Sequence, residues 1–209
     1  MIDTPGHCIG HICGFARTSA GPEESFVFLG GDICHFAGCF RPSASSPLPQ
    51  IIPAGILDAE NGSNDSVLAM VFTDRFSAAG PGEDPLSTPL SKISTNPRSA
   101  FVAPDIAQQT IEKLVAFDTS PSVLICFAHD QSLPLFLPTM NTSPEESLND
   151  WRAKGLKERC HWDWLNILPR GESSGRKLTV QGMWKDGKVW PGGKEYLSAK
   201  SWGEDVAEL

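Results

Sequence analysis

The segment from residue 104 to residue 127 constrains the fold most, because a helical pattern is followed directly by the pattern of a buried strand. Pro104 at a first helical position, with Asp105 beside it, is typical of a helix start. After a break at Thr119-Ser120-Pro121, the continuous apolar run Val123–Phe127 is typical of a strand buried on both faces. A helix followed by a buried strand predicts an α/β (α+β) fold. The apolar face of the helix recurs at Ala107, Ile111, Leu114 and Val115.

Two further strands are predicted within the first 40 residues, at 11–17 and at 25–29. Thr18–Glu24, which contains Gly21-Pro22, is the expected turn between them. The second strand runs into Gly30-Gly31-Asp32. Two glycines at a strand end let the backbone approach a ligand closely, so the Asp32 side chain is delivered to a possible binding site.

Residues 41–103 are rich in proline, serine and glycine and lack a clear periodic pattern. We predict an irregular insertion that either lies over a site or is partly mobile, since unstructured loops of this length are unusual in compact domains. Within it, the apolar run Val67–Phe72 fits either a short strand or a buried turn. The predicted domain that contains this insertion covers residues 1–140.

Residues 141–209 form a separate C-terminal helix and basic, aromatic tail in this interpretation. Ser143 as a cap, with Pro144 and two acids behind it, predicts a helix that runs to about Arg159. Residues 171–194 then carry five lysines and arginines together with Trp184 and Trp190. This tail fits a solvated face or a β-hairpin lid better than a nucleic-acid surface, because the whole chain is acidic.

Composition excludes several classes of protein. The 209 residues carry a net charge of −8, which disfavours binding to a phosphate backbone. No apolar run is long enough for a membrane helix, and the first residues lack a signal-peptide pattern, so we expect a cytoplasmic protein without nucleic-acid or membrane partners. None of the six cysteines forms a C-x-x-C pair, and we interpret Cys8 and Cys126 as small core residues.

Three ionisable side chains lie at strand ends or in tight glycine turns. They are His7, Asp32 and His129. Imidazole and carboxylate together suit a borderline cation such as zinc. Sequence spacing alone fits three unrelated turn residues equally well, so this grouping needs a second observation.

That second observation is a resemblance carried by ordered motifs. The run Thr4-Pro5-Gly6-His7-Cys8-Ile9-Gly10-His11-Ile12, then Gly30-Gly31-Asp32, then a buried strand ending in His129, resembles the metallo-β-lactamase superfamily. Its fungal-type metallo-hydrolase-like members are the nearest fit, through residues 127–133 and the tryptophan-containing tail. The resemblance implies a four-layer αββα sandwich, of which this chain matches mainly the second αβ half. It implies that His7 and His129 bind one metal each and that Asp32 bridges the two metals.

The chain departs from that family pattern in one large respect. The motif H-x-H-x-D-H, which the family carries before the T-P-G-H turn, does not occur here, and Met1 is only six residues from His7. By resemblance each of one or two zinc ions would keep two protein ligands, whereas catalytic zinc sites normally have three. We therefore expect weak metal binding and an N-terminally incomplete domain. Its exposed inner sheet face would be covered by a complementary N-terminal half or a second copy.

The resemblance implies a zinc-dependent hydrolase in which metal-activated water attacks an ester, thioester, lactone or amide bond of a small molecule. Asp32 would be the catalytic carboxylate, and the truncated chain would be impaired or inactive. The alternative is a non-catalytic scaffold remnant or interaction protein. Three further residues are predicted to stand behind the ligands or line the site: His11, His35 and Asp130.

Overall fold

The structure is a computed structural model of the chain. It describes residues 1–58, 65–72, 80–97, 99–140, 143–170 and 174–177, and the backbone alone at residues 73, 184–185 and 188–189. The strands are β1 (Ile2–Asp3), β2 (Ile12–Ser19), β3 (Ser25–Gly31), β4 (Ile51–Ile52), β5 (Val67–Leu68), β6 (Val123–Phe127), β7 (Trp184–Lys185) and β8 (Lys188–Val189). The helices are α1 (Met70–Thr73), α2 (Pro104–Asp118), α3 (Leu133–Phe136) and α4 (Leu156–His161).

A four-stranded sheet in the order β1-β2-β3-β6 organises the fold. The β1/β2 and β2/β3 pairs are antiparallel, whereas β3 and β6 are parallel, with Leu29 opposite Cys126 and Gly31 opposite Phe127. Parallel neighbours end at the same edge of a sheet, so the turns that follow β3 and β6 lie side by side. The mixture of helices and strands confirms the predicted α/β (α+β) class.

Helix α2 covers one face of this sheet. Ala107, Ile111 and Leu114 are buried in the core, as the helical pattern predicts, and Val115 packs at its edge. Thr110 is buried as well, and its hydroxyl is satisfied because it donates a hydrogen bond of 2.8 Å to the carbonyl oxygen of Pro5. This bond ties α2 to the turn that carries His7.

The opposite face of the sheet is covered over only part of its area. Val27 and Leu124 pack against the buried side chains of Trp151 and Leu156. Ile12 and Leu29 point to the same face, and about half of each side chain is exposed (49% and 51%). The expected exposed inner face is therefore confined to the end of the sheet that carries these two residues.

The prediction of a helix from Ser143 to Arg159 is wrong. Residues 143–155 form successive turns, and α4 begins only at Leu156. Two features explain the difference. Gly155 has a left-handed φ of 63°, and Trp151 is anchored in the sheet by its indole N–H, which donates 3.1 Å to Thr18 Oγ1. Tertiary contacts override the local start signal, since helix propensity is a weak preference.

A buried ion pair joins the start of the insertion to the end of α2. Arg41 donates from Nε and Nη2 to the two carboxylate oxygens of Asp118, at 3.0 Å and 2.6 Å, and from Nη1 to the carbonyl oxygen of His161. The Arg41 and Asp118 side chains are 6% and 3% exposed. Several insertion residues join the main core: Leu48, Ile52, Leu57, Phe72, Leu90 and Ile93.

The interpretation of Cys8 as a core residue is wrong, since its side chain is exposed, and Cys126 is only partly buried. Cys8 lies in the loop between β1 and β2. Apolar neighbours in the sequence do not bury a residue when the loop that carries them lies at the surface. All six cysteines are free thiols, and Cys13, Cys34 and Cys160 are the buried ones.

The remaining predictions are only partly covered by the described residues. Most of the basic, aromatic tail, including Trp190, lies outside them. The domain boundary at residue 140 stays a prediction. Within the described residues, the structure has no helix long and apolar enough to cross a bilayer.

We expect the Gly6→Ala variant to be destabilised by about 2–4 kcal/mol, because strain and overpacking add. Gly6 has a φ of 125°, and a Cβ there would overlap the backbone nitrogen and Cα of Ala107 in α2. Gly10→Ala is the matched control, since its φ is 75° but no atom lies within 4 Å of the added Cβ. Its cost should be about 1 kcal/mol. Denaturant unfolding of both variants measures the difference, and equal costs would contradict the packing argument.

Candidate metal centre

The site is built from three loops at one edge of the sheet. The β1–β2 loop carries His7, the turn after β3 carries Asp32 and His35, and the turn after β6 carries His129. The parallel pairing of β3 with β6 brings the last two turns together. Backbone N–H groups of Val102 and Ala103 donate to the carbonyl oxygens of His7 and Gly6, both at 2.9 Å, and hold the first loop against the start of α2.

The Asp32 carboxylate is the centre of this arrangement. Its Oδ1 lies 3.1 Å from Nε2 of His129 and 3.8 Å from Nε2 of His35. Its Oδ2 lies 3.8 Å from Nε2 of His7. The structure thus brings the three predicted ligands His7, Asp32 and His129 together with His35, which was predicted to stand behind the ligands or line the site.

The donor set fits a borderline divalent cation. One ligand atom from each of Asp32, His35 and His129 lies within 4.8 Å of the others. Two buried imidazole nitrogens, Nδ1 of His7 and Nε2 of His35, have no hydrogen-bond partner. A buried polar atom without a partner is unfavourable in a finished interior. The unpartnered nitrogen of His35 is the one that faces Asp32, where a metal ion would use it.

The charge state of His35 also suits coordination. Burial, together with the neighbouring imidazoles of His129 and His7, lowers the pKa of His35 to about 4, against the opposing effect of Asp32. The ring is therefore neutral at pH 7. Only the neutral imidazole binds a metal ion.

His11 holds the Asp32 turn in place. Its Nε2 accepts a hydrogen bond of 3.2 Å from the backbone N–H of Asp32. The ring proton therefore lies on Nδ1, which is 2.8 Å from Oγ1 of Thr4. His11 thus links the T-P-G-H turn to the Asp32 turn.

Asp130 accepts hydrogen bonds from Ser132 in the turn that follows His129. Its Oδ1 accepts from the backbone N–H and the hydroxyl of Ser132, at 2.9 Å and 2.6 Å. Burial raises the pKa of Asp130, although the bonds from Ser132 oppose this. These contacts stabilise the turn that follows His129.

Phe101 is a wall of the site that the sequence analysis did not identify. Its ring centroid lies 5.3 Å from that of His7 and 4.9 Å from that of His35. The sequence offered little signal for it, because it lies at the end of the irregular insertion. The position of His35, three residues after Asp32 in the same turn, was a usable signal for proximity.

Known proteins similar to this chain carry informative names. The chain is 32% identical to the metallo-hydrolase mfmC of Annulohypoxylon moriforme over 166 residues. These residues make up 79% of this chain and 39% of that protein. It is 33% identical over 162 residues to the gamma-lactamase FDB1 of Fusarium pseudograminearum, covering 78% and 36%. The chain belongs to the metallo-β-lactamase superfamily.

Other comparisons define the extent of this relationship. The gamma-lactamase MBL2 of Gibberella moniliformis is 36% identical over 115 residues, which cover 55% of this chain and 44% of that protein. The chain thus spans under half the length of these three relatives. No protein-family model and no solved structure matches the chain.

Within the metallo-β-lactamase pattern, the five histidines divide clearly. His7, His35 and His129 face Asp32, His11 supports its turn, and His161 lies elsewhere, with Nε2 3.1 Å from the hydroxyl of Ser46. None of the five belongs to an H-x-H pair. The described chain therefore supplies one acid and three facing imidazoles.

Proposed function

We propose that this chain is part of a metal-dependent hydrolase that cleaves an ester, thioester, lactone or amide bond of a small molecule. The observation that carries the proposal is the convergence of three imidazoles on the Asp32 carboxylate at one sheet edge. Two relatives are named gamma-lactamases, so a cyclic amide is the first substrate class to test.

The chain's own residues would hold and shape the site. Asp32 presents Oδ1 toward His129 and Oδ2 toward His7, so one carboxylate can serve two positions. One or two zinc ions bound there would supply a Lewis acid that polarises a carbonyl group and acidifies water. Phe101 contributes an apolar wall that limits the approach of solvent to His7 and His35.

We also propose that a polypeptide of these 209 residues hydrolyses its substrate slowly or not at all. His7 with Asp32, and Asp32 with His129, give two predicted ligands for each of two ions. Catalytic zinc sites normally have three protein ligands and an open position. The half-exposed Ile12 and Leu29 offer a surface for a complementary N-terminal half or a second copy.

The alternative is a non-catalytic scaffold or interaction protein, which the lack of an H-x-H pair in the sequence favours. The two functions differ in metal affinity, since a scaffold has no need for a retained site. The cytoplasmic location, and the lack of nucleic-acid and membrane partners, stay predictions from composition.

Zinc titration and hydrolysis assays on the purified chain test these proposals together. We expect saturable zinc binding by calorimetry and hydrolysis of a γ-lactam or an aryl ester below about 1 s⁻¹, against about 10 s⁻¹ for a typical enzyme. Removal of metal by a chelator should abolish this residual rate. A chain that binds no zinc would contradict the hydrolase and support the scaffold, whereas turnover at the typical rate would contradict the impairment.

A further inference from the structure

Of the three imidazoles that face Asp32, His35 is the one that is not among the predicted metal ligands. Its Nε2 is buried, has no hydrogen-bond partner and lies 3.8 Å from Oδ1 of Asp32. Its ring centroid is 4.3 Å from that of His129. An unpartnered buried nitrogen is unfavourable, so its place opposite a carboxylate oxygen calls for a ligand that contacts both atoms.

The spacing of the donors fits a single ion. Ligands around a tetrahedral zinc, at bond lengths of about 2.0–2.2 Å, are about 3.3 Å apart. Both imidazole nitrogens near Asp32 Oδ1 are close to that spacing, at 3.1 Å for His129 and 3.8 Å for His35. All three donor atoms lie within 4.8 Å of one another, so side-chain rotations that draw them together would complete the set.

We propose that Asp32, His35 and His129 bind one and the same divalent cation, so that this chain holds one ion through three of its own side chains. This inference rests on the proposed metal-dependent function and names a ligand that the resemblance does not assign. His7 lies on the other carboxylate oxygen and is not needed for this ion. This one ion is thus held without an H-x-H-x-D-H motif, whereas the second position, between His7 and Oδ2 of Asp32, keeps only two ligands.

The backbone explains why these three residues can act as a unit. Asp32 and His35 lie three residues apart in the turn after β3, and His129 follows the parallel neighbour β6. The backbone N–H of Ala128 donates 2.8 Å to the carbonyl oxygen of Gly31, which joins the two turns directly. Ligands on adjacent, hydrogen-bonded turns lose little freedom when they bind an ion, and this favours affinity.

The test is zinc calorimetry and cobalt absorption spectroscopy on the metal-free chain and on the His35→Phe variant. Phenylalanine keeps the ring that packs against Phe101 and removes the nitrogen donor. We expect one ion per wild-type chain and a loss of affinity of more than about 100-fold in the variant, beyond the range for residues behind a ligand. His161→Gln, whose imidazole contacts Ser46 and Trp162, is the control and should stay within about threefold of wild type.

A second measurement keeps the proposal testable if His35→Phe fails to fold. In the wild-type chain, the Nε2 signal of His35 in imidazole ¹⁵N spectra should shift on zinc addition. Unchanged zinc affinity in a folded His35→Phe variant, or an unchanged His35 nitrogen signal, would overturn the inference. Either result with a wild-type chain that still binds zinc leaves the proposed function standing, whereas a wild-type chain that binds none overturns both.

Discussion

Replacing Asp32 by asparagine is expected to lower zinc affinity by at least about 1,000-fold, which corresponds to about 4 kcal/mol of binding free energy. The Asp32 carboxylate lies within 4 Å of a nitrogen of each of the three imidazoles, and it brings the only negative charge among these four side chains. An amide of the same shape keeps one neutral oxygen and loses the charge, so the electrostatic attraction to a divalent cation falls sharply.

The fold of this variant should be preserved, because His11 contacts the backbone N–H of residue 32 rather than its side chain. Calorimetric titration with zinc measures the effect. Asp3→Asn, an exposed acid in β1, is the matched control for loss of one negative charge and should bind zinc as wild type does. Wild-type affinity in Asp32→Asn would rule out the metal centre described here.

The largest expected effect on stability belongs to the Arg41→Met variant, which should lose about 3–5 kcal/mol of unfolding free energy. The substitution leaves the carboxylate of Asp118 buried without its cation, and it also removes the bond to the carbonyl oxygen of His161. Arg152→Met is the control at an exposed ion pair, since the side chains of Arg152 and its partner Glu23 are 39% and 83% exposed. Its loss should cost at most about 1 kcal/mol of unfolding free energy.

The pH dependence separates this mechanism from simple loss of packing. Burial opposes ionisation of Asp118, but the charge and hydrogen bonds of Arg41 outweigh it and hold the pKa of Asp118 below its usual value. In the wild type this stabilisation is present above the unfolded pKa of about 3.9 and is lost as pH falls through the folded pKa. In Arg41→Met only the weaker effects of His161 and Lys157 still oppose burial, so the pKa of Asp118 rises and the deficit should grow between pH 4 and pH 7. Urea unfolding across this range measures it, and a deficit independent of pH would contradict the ion-pair argument.

Local patterns account for the elements that were predicted correctly. The strands near 11–17 and 25–29, the helix that begins at Pro104 and the strand Val123–Phe127 were each recognisable from residue type and short-range pattern along the chain. The helix expected from Ser143 failed because Trp151 finds its partners on distant strands. The prediction of Cys8 as a core residue failed for a related reason, since an apolar run in the sequence does not tell which loop stays exposed to solvent.

The sequence by itself determined the α/β class, the three ligand-type residues in glycine turns and at a strand end, and their resemblance to the metallo-β-lactamase superfamily. Those features depend on side-chain type and on short-range order along the chain. Only the tertiary structure decided that His35 faces Asp32 beside His129, that His11 holds the Asp32 turn, and that Arg41 is paired with Asp118. Each of these depends on the parallel pairing of β3 with β6 or on packing between distant segments, and a linear pattern carries no information about such distances.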